Sequence, residues 1–160
     1  MMRKMIGLAG AAALAISMSG VSHAGAGHVM AEGVMAHGAW VRLVPPVAKN
    51  SAAYVEIENT GNKVLQIESA TSPVAEVVEV HQTTMVDGVM RMSEVKDLQI
   101  PVGGKVEMKP GGYHVMLISL KEPLQKGQVV PVTIKFSAGQ VLTVKAKVKE
   151  AQGKMKQHNH

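Results

Sequence analysis

Four side chains in this sequence could share one soft metal ion: His81, Met92, His114 and Met116. His114 and Met116 are two residues apart in YHVMLISL, residues 113–120, a stretch that reads as a strand. Side chains at i and i+2 leave the same face of a strand with Cα atoms roughly 7 Å apart, so an imidazole nitrogen and a thioether sulfur can converge on one ion. Tyr113, Val115 and Leu117 supply the apolar face of that strand, which leaves His114 and Met116 opposite it. The pair is half a site. A neighbouring strand must bring the rest, and His81 and Met92 stand at the two ends of the hairpin-like segment HQTTMVDGVMRM.

The donor types restrict the metal. Zinc is held by thiolate, imidazole and carboxylate, and a neutral thioether is not among its usual ligands. Thioether with imidazole favours monovalent copper, a soft ion. The competing reading for any one of these residues is that methionine fills irregular core gaps and a lone histidine is structural. That reading suits Met108, in a short apolar strand pattern, whereas Met90 shares a face with Met92 and reads equally as packing or as a spare donor.

The elements that must position these residues are strands. From Gly38 onward the apolar residues alternate with polar ones between Gly and Pro punctuation, and no helical stripe is sustained. Ala53, Val55 and Ile57 form one such face, Leu65 and Ile67 another, and Val130, Val132, Ile134 and Phe136 the clearest one. Val78 and Val80 share a face opposite Val77, Glu79 and His81, and Asp87-Gly88 is a turn signal between segments ending at Met85 and starting at Val89. Many short strands of this kind predict an all-β, antiparallel Greek-key β-sandwich or barrel over residues 38–149.

His81, ten intervening residues, Met92, twenty-one more, then His114-Val115-Met116 resembles the signature of the PCuAC family of periplasmic copper chaperones. The phrases AWVRLVPPVAKNSAAYVEIEN, DGVMRM and GGKVEMKPGGYHVML resemble that family too, and the similarity runs from Gly38 to Lys147. Many relatives carry Met two residues after the first His, where this chain has Thr83; the nearest thioether is Met85. The resemblance implies a cupredoxin-like topology and a Cu(I) site made of His81, Met92, His114 and Met116. It also implies delivery of copper to an acceptor protein, the copper centres of cytochrome c oxidase or another copper chaperone.

Residues 1–24 read as a secretory signal: Arg3 and Lys4, an apolar run from Ile6 to Ile16, then Ser22-His23-Ala24 as a cleavage site. The run is short for a bilayer span, so a periplasmic protein with no membrane span after cleavage is expected. Residues 25–37 read as a flexible lead-in. Residues 150–160 read as a flexible Met-, His- and Lys-bearing tail, in which Met155, His158 and His160 form an accessory Cu(II) site, since imidazoles accept divalent copper well.

Composition excludes several classes. The net charge is +5, but one Trp, two Tyr and one Phe give no aromatic platforms for nucleic acid. There is no Cys, which removes thiol redox exchange, thiolate zinc and Cys-ligated blue copper. No activated nucleophile, catalytic carboxylate pair or phosphate loop is present, so a binding or transfer protein, read as a monomer, is expected rather than an enzyme. A copper buffer or resistance protein, or a metal-free β-sandwich interaction module, would use the same strands.

Overall fold

The computed structural model describes residues 29–152. The signal-like stretch 1–24 and the tail residues Met155, His158 and His160 lie outside the described residues. Eleven strands follow one another with no helix among the described residues: β1 (Val29–Ala31), β2 (Val34–Arg42), β3 (Ser51–Asn59), β4 (Leu65–Thr71), β5 (Ala75–Val86), β6 (Val89–Glu94), β7 (Gln99–Ile100), β8 (Lys105–Glu107), β9 (Tyr113–Leu120), β10 (Val129–Phe136) and β11 (Val141–Lys149).

The strands hydrogen-bond in the order β6-β5-β9-β3-β2-β11-β10-β4-β7, with β1 on β2 and β8 on β3. Pairing is antiparallel except between β2 and β11, which run parallel through Lys147↔Trp40, Val148↔Val41 and Lys149↔Arg42. The all-β, cupredoxin-like expectation therefore holds, with this one parallel seam inside it. Such a seam needs a long crossover, because parallel neighbours cannot be joined by a hairpin, and here eight strands, β3 to β10, intervene between β2 and β11.

The alternation sorts residues as the strand period requires. Val130, Val132, Ile134 and Phe136 of β10 face Leu142, Val144, Ala146 and Val148 of β11 inside a single apolar core. Val115 and Leu117 of β9, and Val80 of β5, enter the same core from the other end of the path. Met108 is buried there as well, a packing residue as its sequence context indicates.

The folded unit starts earlier than Gly38. Val34 and Ala36 are fully buried core residues of β2, paired with Asn59 and Ile57 of β3, so from Val29 the expected lead-in is the hairpin of β1 and β2, turned at Glu32 and Gly33. Gly33 and Gly38 both sit at positive φ, and the β2–β3 register shifts between His37 and Trp40. That irregularity breaks the two-residue period at the place where the strand would have been recognised.

Candidate metal centre

β9 lies between β5 and β3, and this insertion builds the site. His81 of β5 is directly opposite His114 of β9, and Glu79 is opposite Met116. On the other flank Ala52 of β3 is opposite Met116, and Tyr54 is opposite Trp40 of β2. The β5–β6 hairpin sets Thr83 opposite Met92 and Met85 opposite Met90. Opposed residues point to one side of a sheet, so His81, Met92, His114 and Met116 all leave the face away from the core. Val80, Val115 and Leu117 occupy the other face. All four sequence-predicted residues are thus brought to one sheet face.

Their surroundings differ. His114 is 3% exposed, while Met92 stands at the rim and is 53% exposed; His81 and Met116 are intermediate. Met92, His114 and Met116 line one cleft of about 320 Å³ together with Tyr54, Ala52 and Arg42. His81 stands beside it, its ring centroid 6.0 Å from that of His114. A larger hollow of about 910 Å³ lies around Gly33, Asn59, Gly61 and Gln140, but no His or Met lines it. The smaller cleft is the one lined by His and Met side chains.

Each imidazole is already held by one nitrogen. His81 Nε2 is 2.8 Å from Glu79 Oε2, and His114 Nδ1 is 3.1 Å from the Gly112 carbonyl oxygen. Both oxygens accept, so these nitrogens carry the protons in the neutral rings and the opposite nitrogens keep their lone pairs. Those opposite atoms, His81 Nδ1 and His114 Nε2, are buried and have no hydrogen-bond partner among the described residues. A buried acceptor without a partner costs free energy unless something fills it. A carboxylate or backbone carbonyl on one nitrogen with the other left bare is the arrangement by which proteins aim metal-binding histidines.

The electrostatics point the same way. Burial is the main cause that pushes the His114 pKa below its usual value; the neighbouring His81 and Arg42 push it further, against the Gly112 hydrogen bond, which raises it. A neutral imidazole is the form that binds metal. Tyr54, its ring tilted against His114 at 6.3 Å and against Trp40 at 4.5 Å, has its phenol pKa raised by burial, partly offset by Arg42. It is therefore a neutral wall of the cleft. Among the described residues no three His, Cys, Asp or Glu gather closely enough to hold a metal; the other soft donors that line this cleft are the thioethers of Met90, Met92 and Met116.

Glu79, Gly112, Tyr54 and Arg42 were not singled out as parts of the site from sequence. Glu79 carried a usable signal, two residues before His81 on the same strand face. The Gly112 carbonyl, two residues before His114, is local, but a backbone group leaves no mark in residue type; Tyr54 and Arg42 carried no signal, since their proximity follows from non-local pairing.

The family model described as "Putative lipoprotein LpqE-like" matches residues 20–148. A Leifsonia xyli subsp. xyli protein named "Putative lipoprotein Lxx21020" is 36% identical over 116 residues, 72% of this chain and 69% of that protein. Among solved structures, the solution structure of CuI-DR1885 from Deinococcus radiodurans is 36% identical, with a TM-score of 0.59, over 72% of this chain and 77% of that one. The copper-bound PCuAC domain from PmoF2 shares the fold at a TM-score of 0.64 and 18% identity, over 78% of this chain and 99% of that one. By sequence and by fold, the chain belongs to the LpqE-like family and is a PCuAC-family protein.

Proposed function

We propose that this protein is an exported copper chaperone, not an enzyme, that holds one Cu(I) between His81, Met92, His114 and Met116 and passes it to a copper-containing acceptor. The observation that carries the reading is the pair of bare, buried nitrogens, His81 Nδ1 and His114 Nε2, on one sheet face with two thioethers. Imidazole and thioether are neutral, so the bound ion keeps its charge and the site grips it less tightly than thiolates would. Met92 at the rim is the ligand an incoming donor can displace first. An acceptor with Cys ligands then wins the ion by successive ligand exchange, each new Cu–S bond forming as a bond to Met or His breaks and the thiol proton passing to solvent, with no change of oxidation state.

Relatives support the metal: DR1885 was solved as its CuI form and a PmoF2 domain with copper bound. The family resemblance supports a cytochrome c oxidase subunit, or another copper chaperone, as acceptor. Export to the periplasm is supported by the signal-like residues 1–24 and by relatives named as lipoproteins. The tail residues Met155, His158 and His160 are an accessory Cu(II) site in this reading; deleting residues 154–160 should lower Cu(II) binding and spare Cu(I) binding.

The test is an anaerobic competition titration with Cu(I) against a chromogenic chelator, followed by X-ray absorption. One tightly held Cu(I) per chain with mixed nitrogen and sulfur scatterers is expected. Unchanged affinity in both Met92→Leu and Met116→Leu would make the thioethers packing residues and remove the proposal.

A further inference from the structure

The β5–β6 hairpin carries thioethers that the four-residue site does not use. Asp87 and Gly88, at φ 51° and 75°, form a two-residue turn with both central residues left-handed, the type I′ geometry. Val86 and Val89 flank it as the first opposed pair, then Met85 and Met90, then Thr84 and Arg91, then Thr83 and Met92. In such a hairpin the flanking pair exchanges both backbone hydrogen bonds, and the next pair is the non-hydrogen-bonded kind, with Cα atoms about 4.5 Å apart and side chains closest. The bond from Thr83 N–H to the Gly112 carbonyl places the odd-numbered residues of β5 in the same phase, with their backbone groups turned away from β6. Met85 and Met90 are therefore opposed at the closest approach the ladder offers.

Packing does not account for them. Met85 is 65% and Met90 63% exposed, and every residue of β6 is exposed. Methionine is useful in a core for its flexibility, and neither residue is in the core. Met92 lies two residues from Met90 on the same face, roughly 7 Å away along the strand. Met90 also borders the cleft that Met92, His114 and Met116 line. Three thioethers thus run from the hairpin tip to the mouth of the cleft.

We propose that Met85 and Met90 form a second, outer site for Cu(I), weaker than the inner one, with Met92 shared between them as the step by which the ion moves. This rests on the reading of the inner site as a Cu(I) site. Two neutral sulfurs suit a soft monovalent ion and offer little to zinc or to divalent hard cations. Movement between the sites is ligand exchange: a Cu–S bond to Met92 forms, the bonds to Met85 and Met90 break, and bonds to His81, His114 and Met116 replace them. No proton or electron is transferred. The exposed position makes the outer site the first contact for an ion delivered from outside and the last for one leaving.

The experiment uses the protein labelled with ¹³C-methyl methionine and titrated anaerobically with Cu(I) supplied as its acetonitrile complex. The first equivalent should move the methyl signals of Met92 and Met116, and further Cu(I) should move those of Met85 and Met90. In the doubly substituted Met85→Leu, Met90→Leu protein the first equivalent should remain, the later phase should disappear, and loading of the inner site should slow severalfold. Stationary Met85 and Met90 signals alongside moving Met92 and Met116 signals would overturn the outer site and leave the proposed function standing. If all four stayed stationary, both would fall.

Discussion

Glu79 and His81 share a strand face two residues apart, and the Glu79 carboxylate holds His81 Nε2 at 2.8 Å while leaving His81 Nδ1 bare. The carboxylate fixes which ring nitrogen carries the proton and how the ring is turned. His114 is fixed in the same way by a backbone carbonyl, which no substitution of a side chain can remove. Of the two histidines, only His81 can be loosened from outside without being replaced.

Glu79→Gln is therefore expected to weaken Cu(I) binding by about 10- to 100-fold, the range seen when the partner of a metal-binding histidine is lost. The glutamine amide can present its NH₂ group to Nε2, which turns the proton onto the nitrogen that should be free. Glu79 is partly exposed on the face away from the core, so the melting temperature should hold. Competition titration beside thermal unfolding checks both halves. A variant with wild-type affinity would show that Glu79 does not orient the ring.

Adjacent residues of β9 should separate stability from binding. Leu117 is fully buried in the core, and Leu117→Ala is expected to cost about 2–5 kcal/mol through lost burial and the cavity left behind. Met116, on the opposite face, tolerates Leu at under about 1.5 kcal/mol because the volume is conserved. Its Cu(I) affinity should nonetheless fall by about tenfold or more. Chemical denaturation and copper competition on the same two proteins read the contrast.

That contrast was legible in the sequence, because the alternation of Tyr113, Val115 and Leu117 against His114 and Met116 depends only on the two-residue period of a strand. The hairpin was legible for a similar reason: Asp87-Gly88 is a local turn signal, and a two-residue turn fixes the register that sets Met92 opposite Thr83. The pairing of His81 with His114 was not, since β9 follows β5 by way of three other strands and its place between β5 and β3 is decided by the whole core. The start of β2 was hidden by Gly33, Gly38 and the shifted register beside them. Arg42 and Tyr54 border the cleft only through that non-local assembly, whereas the Gly112 carbonyl is local to His114 but invisible in residue type.

The metal-free protein should lose stability as pH falls below about 6.5, the ordinary histidine value. His114 is held below that value chiefly by burial, and it is faced by His81 on β5, Tyr54 on β3 and Arg42 on β2. In the window between its folded and unfolded pKa values the unfolded chain binds a proton that the folded chain refuses, so unfolding becomes easier as pH drops. The contribution is fully present above about pH 6.5 and declines as pH falls toward the folded value. Denaturation measured from pH 7 to pH 5 should show a steeper decline in the wild type than in His114→Gln. Parallel slopes would remove His114 as the cause.

Gly88 gives a last prediction, in which binding should suffer more than stability. At φ 75° a side chain other than glycine is strained, and the left-handed conformation costs roughly 1–2 kcal/mol for an L-residue with a Cβ. Nothing lies within 4 Å of where a Cβ would be built, so Gly88→Ala acts through the backbone and not through a clash. All of β6 is exposed, and the hairpin end contributes nothing to the buried core. The strain should therefore open the hairpin locally, leaving the global melting temperature within a few degrees while Met92 loses its fixed place opposite Thr83. Faster amide exchange at Met90 and Arg91, together with weaker Cu(I) binding, is the expected pair of results. Faster exchange with unchanged affinity would mean that Met92 reaches the ion without the hairpin holding it.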